Sequence, residues 1–377
     1  MIIYVVKKGD TFTSIANLYN TTPEFIATQN GFSINDTLVI GQSLVIPQYT
    51  EKLGKIATNG YLYTNIDEDI LKNTLPYLTF ATIFTYGFKE NGDLVYADDE
   101  KVLEIIKSYN VKPIMLISTL TEEGKFSNEL SNKILNDINS QNVLIDNILK
   151  NIKEKGYFGL DIDFEYIFPE DKDSYVAFID NITTKLNKEG YPVIVSLAPK
   201  TSSTQPGLLY EAHDYKSIGN IANAVLLMTY EWGYTYGPPM AVAPINKVKD
   251  VLDYAITVIP NNKIFMGIPN YGYDWTLPYE KGISKAKSIG NVEAINIARE
   301  KGSEILFDET SQAPYFYYYD EDNKEHIVWF EDARSIYTKV TTAFKYGFPG
   351  ISYWNIMRYF PQNWLVVSQL FDIYKIM

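Results

Sequence analysis

The stretch FGLDIDFEYI, residues 158–167, carries three carboxylates at a spacing of two: Asp161, Asp163 and Glu165. Acids are poor strand formers, yet Leu160, Ile162 and Phe164 between them favour strands. A strand alternates its side chains, so the acids share one face and Leu160, Ile162, Phe164 and Tyr166 share the other. Three carboxylates in a row repel one another when all are ionised. At least one must then keep its proton above the usual carboxylate range, or two must share one. A protonated Glu165 at the strand's mouth, with Asp163 and Asp161 deeper, suits proton donation to a leaving group. Two other readings are a buried carboxylate network bonded to backbone and tyrosine, and a magnesium or calcium site. No Lys, Arg or His stands near the row to offset its charge, so acid chemistry explains its cost best.

Such a row needs a rigid frame. From Lys55 onward strand-like and helix-like runs alternate. The strand-like runs are IATNGYLYTN, LTFATIFTYGF, VKPIMLIST, GLDIDFEYI, PVIVSLAP, NAVLLMTYEWG, KIFMGIPNYGY and GISYWNI. Helical stretches separate most of them, and one long helical segment is expected over SNELSNKILNDINSQNVLIDNILKNIKEKG. Strand–helix alternation implies parallel strands. Eight such units in about 320 residues fit a TIM (β/α)8 barrel, whose active-site floor lies at the C-terminal strand ends. Residues 274–329 break the rhythm with a polar helix and short aromatic runs, which reads as a small α+β insertion before strand eight. The NKE within it reads as a hairpin turn. An open doubly wound sheet is the alternative, but no GxGxxG or phosphate loop supports it. The expected class is therefore α/β, a barrel over residues 49–377 preceded by a small module over residues 1–48.

Composition narrows the chemistry. The 33 basic and 46 acidic residues leave a net charge of −13. That argues against a nucleic-acid surface and against adhesion to anionic membranes. The absence of cysteine excludes disulfides, thiolate metal sites and a cysteine nucleophile. Two histidines, His213 and His326, are too few for a His-rich zinc site and argue against a Ser-His triad. Both read as packing or surface residues. No metal and no cofactor is called for. MIIYVVKKGD has only the short apolar run IIYVV after its Met, ahead of its lysines, and does not read as a signal peptide. No run approaches the roughly 20 apolar residues that span a bilayer, so no membrane insertion is expected. The 31 Tyr and 5 Trp suit sugar rings, which stack on aromatic planes.

Residues 2–47 read as βααβ: IIYVV, then TFTSIANLYN with Thr11 as N-cap, then TTPEFIATQN opened by Pro23, then GQSLVIP. Tyr4, Gly9-Asp10-Thr11, Ile15-Ala16, Tyr19, Ile26, Asn30 and the run Gly41 to Pro47 resemble the LysM family. The resemblance implies binding of N-acetylglucosamine polymers, peptidoglycan or chitin. It implies a groove with Asp10, Thr11 and Phe12 on one side and Asn30 on the other. Such a module raises effective concentration near a polymer. The short join QYTEKLG should hold it close to the barrel.

The acid row resembles the DxxDxDxE signature of glycoside hydrolase family 18, with Phe158 in place of the first acid. LLMTYEWG carries Met228 and Tyr230 of that family's sixth-strand pattern, with Glu231 where Asp is common. GISYWNI sets Trp354 at the end of strand eight, where the family keeps a tryptophan under the sugar. The resemblance implies a retaining, substrate-assisted glycosidase with Glu165 as acid and base. Asp163 would serve the substrate's acetamide, Asp161 would tune Asp163 by sharing a proton, and Tyr230 would position the acetamido oxygen. Tyr271 and Tyr86 are further candidates for the sugar site. With the N-terminal module, the motifs resemble spore-cortex-lytic N-acetylglucosaminidases, which implies a spore or cell-wall location. Chitin hydrolysis and a sugar-binding barrel without catalysis are the competing readings.

Overall fold

The computed structural model describes residues 1–121 and 125–376. The eight apolar runs form eight parallel strands: Gly54–Tyr63, Phe80–Phe88, Lys112–Ser118, Gly159–Asp163, Val193–Leu197, Ala224–Leu227, Ile264–Pro269 and Gly350–Trp354. Each pairs in parallel with the next, and strand eight pairs with strand one, Gly350 opposite Ala57, to close the barrel. Leu160 and Ile162 of strand four are fully buried outside the ring. At its lower end Phe158 packs on Phe80, with ring centroids 5.8 Å apart.

Two local features differ from expectation. The long helix is two helices, Asn128–Asn136 and Ile138–Lys155, because Asp137 is extended at φ −121° and ψ 101°. Its carboxylate accepts the Asn139 N–H, which favours a helix start over continuation. A short strand near the C-terminus, Phe371–Ile373, adds in parallel to the start of strand one.

The insertion is a five-stranded antiparallel sheet, Gly272–Thr276, Lys287–Ile289, Leu306–Asp308, Ala313–Tyr319 and Glu325–Trp329, with the helix Asn291–Lys301. Its hairpin turns at Asp320–Lys324, with Asn323 left-handed at φ 58°.

The N-terminal unit pairs Ile2–Val5 antiparallel with Ser43–Ile46 around two helices, Phe12–Tyr19 and Pro23–Gln29. It has no separate core. Phe12, Ile15, Ile26 and Leu44 pack in one cluster with Ile289, Ile295, Phe316, Val328 and Phe330 of the insertion. Polar groups fasten the same seam. The Ile305 N–H donates to the Ile40 carbonyl at 2.9 Å. Arg334 Nη2 donates to the Gly41 carbonyl at 3.1 Å, and Arg299 Nε to that of Thr37 at 2.8 Å. Gly41 sits at φ +84°, and a Cβ there would lie 1.8 Å from the Ile305 oxygen, so only glycine fits.

Candidate active site

A cavity of about 520 Å³ opens at the C-terminal ends of the barrel strands. Asp163, Glu165, Met228, Tyr230, Glu231 and Trp354 all line it. Strand four ends at Asp163, so Glu165 stands two residues beyond the strand and not within it. Both ladders have run out there: pairing to strand three stops at Asp163 and to strand five at Ile162. The chain then turns, with Tyr166 left-handed at φ 56°. Tyr166 therefore lines the cleft mouth and does not face the helices.

Asp161 lies deepest. One carboxylate oxygen accepts from the Tyr61 hydroxyl, the other from Ser196 Oγ at 3.2 Å. Burial pushes its pKa up to about 6, against the pull of those two donors. Each oxygen thus has its own donor, and no hydrogen bond joins Asp161 to Asp163 among the described residues. The expected proton sharing between the two is not what the structure shows; Asp161 acts on Asp163 through its charge. Asp163 is held well above the usual carboxylate range by burial, then by Glu165 and Asp161. Among the described residues its Oδ1 has no hydrogen-bond partner, although it is buried. Glu165 is pushed up to about 7, first by burial and then by the Glu231 charge. No three groups of this row converge as metal ligands among the described residues.

Tyr230 is buried at the cleft wall, and a Cβ on Gly267 would come within 2.7 Å of its ring. Glycine in strand seven therefore makes room for the tyrosine. Glu231 is left-handed at φ 66°. It accepts from the Tyr271 hydroxyl and, at 3.1 Å, from that of Tyr273. Tyr271 thus acts through Glu231 and does not line the cavity. Trp354 forms the floor, its ring centroid 5.7 Å from Tyr61 and 5.1 Å from Phe84.

Because Glu231 faces Glu165, removing its charge makes Glu165 a stronger acid. In Glu231→Gln the alkaline limb of the kcat/KM profile should move to lower pH, by roughly half a unit or more. An unmoved limb in a folded variant would show that the two carboxylates are not coupled.

Tyr86 is not at this site. A period of two would carry Thr82, Phe84 and Tyr86 inward together, but the register shifts between Ile83 and Tyr86. That irregularity turns Tyr86 outward. It is fully buried there, with its hydroxyl donating to Asp99 and accepting from Lys155 Nζ at 3.1 Å. Phe84 occupies the cleft instead.

The N-terminal candidates divide in the same way. Asp10 accepts from the Tyr4 hydroxyl at 2.7 Å and the Lys7 N–H at 2.8 Å, and Thr11 caps the first helix. Both remain on the first turn. Phe12 is buried in the shared core. Asn30 is 1 % exposed, and its amide bonds Ile26, Val45 and Gln362. Neither Phe12 nor Asn30 presents its side chain to a ligand: one fills the core, the other ties a helix end to a strand.

Some contributors went unread in the sequence. Tyr61 and Tyr63 alternate inward along strand one, a signal the period of two contained. Tyr273 stands two residues beyond Tyr271 and reaches the same carboxylate. Phe126, Tyr210 and Tyr234 line the cleft from loops, where no periodicity marks them.

Residues 57–358 match the glycosyl hydrolases family 18, and residues 4–47 match the LysM domain. The chain belongs to glycosyl hydrolase family 18 and is a glycoside hydrolase that carries a LysM domain. The cortical fragment-lytic enzyme of Bacillus subtilis is 42% identical to it over 428 aligned positions, covering 100% of this chain and 99% of that one. The crystal structure of the Bacillus cereus spore cortex-lytic enzyme matches with TM-score 0.94 at 35% identity, covering 99% of each chain. A chitinase from Chromobacterium violaceum shares the fold at 22% identity and TM-score 0.78, over 83% of this chain and 98% of that one.

Proposed function

We propose that this protein hydrolyses the β-1,4 linkages of N-acetylglucosamine in spore-cortex peptidoglycan or its fragments during germination, with net retention. The observation that carries the reading is Asp163 Oδ1, a buried acceptor without a donor among the described residues, beside a Glu165 that burial and the Glu231 charge hold protonated to about pH 7. A buried acceptor is costly when left unpaired, so the site lacks an N–H that a substrate acetamide supplies.

Glu165 donates its proton to the glycosidic oxygen as the bond from that oxygen to the anomeric carbon breaks. The substrate's own acetamido carbonyl oxygen bonds to the anomeric carbon, giving an oxazolinium, as expected of this family's departure from the two-carboxylate scheme. Asp163 accepts the acetamido N–H and offsets its positive charge. Tyr230 positions the acetamido oxygen, and Trp354 carries the sugar face. Water then attacks the anomeric carbon as its bond to the acetamido oxygen breaks and the acetamide is restored, and Glu165 takes the proton of the water. The LysM domain holds the glycan polymer nearby, which supports a site of action at the spore cortex or wall.

Mass spectrometry of products from cortex peptidoglycan, vegetative peptidoglycan and chitin, side by side, tests this reading. Fastest release from cortex, with N-acetylglucosamine at the new reducing end, is expected. Faster release from chitin would move the substrate to that polymer. N-acetylmuramic acid at the new reducing end would overturn the bond assignment.

A further inference from the structure

Glu165 stands beyond both ladders of strand four, so something other than sheet pairing must fix the chain that carries it. Phe164, the residue before it, has its ring stacked against Phe88, Tyr175 and Phe178 at 5.4, 5.9 and 5.6 Å. Stacking fixes the ring but leaves the peptide plane free to tilt. The Phe164 carbonyl meets His213 Nε2 at 3.0 Å. On the far side of the same ring, Nδ1 accepts the Ala198 N–H at 2.9 Å. Ala198 follows the last residue of strand five.

These two bonds settle the tautomer. A backbone N–H only donates, so Nδ1 carries no proton. A carbonyl only accepts, so Nε2 carries one. His213 is 1 % exposed, and its neighbours enforce the same state. Lys200 Nζ donates to the His213 carbonyl at 3.0 Å, and Tyr175 packs at 6.0 Å between ring centroids. Burial lowers the imidazole pKa to about 4 against the pull of the Phe164 carbonyl, with a smaller push in the same direction as burial from the Lys200 charge. Tyr215 completes the clamp, donating to the Ala198 carbonyl at 2.6 Å and accepting the Lys200 N–H at 3.0 Å.

We propose that His213 is a positioning residue for Glu165: one neutral imidazole bridges the gap where strands four and five separate and sets the peptide that aims the acid. It touches no substrate. The inference rests on the reading of Glu165 as the acid.

Two substitutions divide the bridge. His213→Gln keeps an N–H near the position of Nε2, for the Phe164 carbonyl. His213→Asn keeps an acceptor near the position of Nδ1, for the Ala198 N–H, and loses the donor to Phe164. On soluble cortex fragments His213→Asn should lower kcat at least 10-fold with KM nearly unchanged, and should shift the alkaline limb of the pH profile. His213→Gln should stay within a few-fold of wild type. Equal kcat and equal pH profiles in folded wild type and His213→Asn would overturn the proposal, as would equal losses in the two variants.

Glu165→Gln assayed alongside separates the two readings. If it is active, the acid assignment fails; if it is inactive while His213→Asn is normal, only the positioning role fails. Should the variants not fold, the wild type still decides. With two histidines in the chain, nitrogen-15 histidine labelling resolves both. One imidazole should show a bare Nδ1 and a protonated Nε2, unchanged from pH 5 to 8. Titration of both within that range would overturn the proposal.

Discussion

Glu165→Gln is expected to cut the cleavage of soluble cortex fragments by at least about 10²–10⁴-fold while leaving the fold and polymer binding intact. The amide keeps the shape of the carboxyl but has no proton to give and cannot take one from water, so both halves of the reaction suffer. The same change should separate activity from stability. The folded-state pKa of Glu165 is about 7 against an ordinary 4.5, so the folded protein binds this proton more tightly than the unfolded chain. The acid therefore does not weaken the fold below about pH 4.5, and its ionisation erodes stability as pH rises toward and through 7. Glutamine never ionises. At pH 8 the variant should be more stable than wild type by something on the order of 1–3 kcal/mol, and at pH 4 the difference should vanish. Thermal melts at both pH values, read beside product release, check it. A variant that cleaves at the wild-type rate would place the acid elsewhere.

Deletion of residues 1–48 should do more than remove an anchor. It uncovers Ile289, Ile295, Phe316, Val328 and Phe330 on the insertion. Losing even part of the burial of five such side chains, worth about 1.5–3 kcal/mol each when complete, is a large share of the stability of an ordinary domain. The truncated chain should aggregate or melt at least about 10 °C lower, and should lose activity on soluble fragments together with activity on polymer. A truncated protein with a wild-type melting temperature and full activity on soluble fragments would show that the seam carries little.

Much of this was legible because the barrel repeats one period. The eight apolar runs named the eight strands in order, and alternation placed Asp161 and Asp163 on the inner face. Where alternation fails, the reading fails with it. Strand four stops before Glu165, so Tyr166 points into the cleft. The register shift in strand two carries Tyr86 outward and leaves Phe84 in its place. Asn30 follows a pattern that implies contact with sugar, yet its amide is consumed by backbone and by Gln362, a partner 332 residues away. His213 looked like packing, and its two bonds form only when segments around residues 164 and 198 meet. Contacts between distant segments leave no mark in local composition.

The seam between the LysM domain and the insertion has one more consequence, for how a solid substrate is worked. A binding module on a flexible tether lets its enzyme graze a volume around each anchor point. A module welded to the barrel behaves as a gauge: a glycan strand gripped at one end meets the cleft at a single offset and heading. No tether entropy is lost when the second contact forms. To cut at another distance along the strand, the whole molecule must release its grip and take hold again.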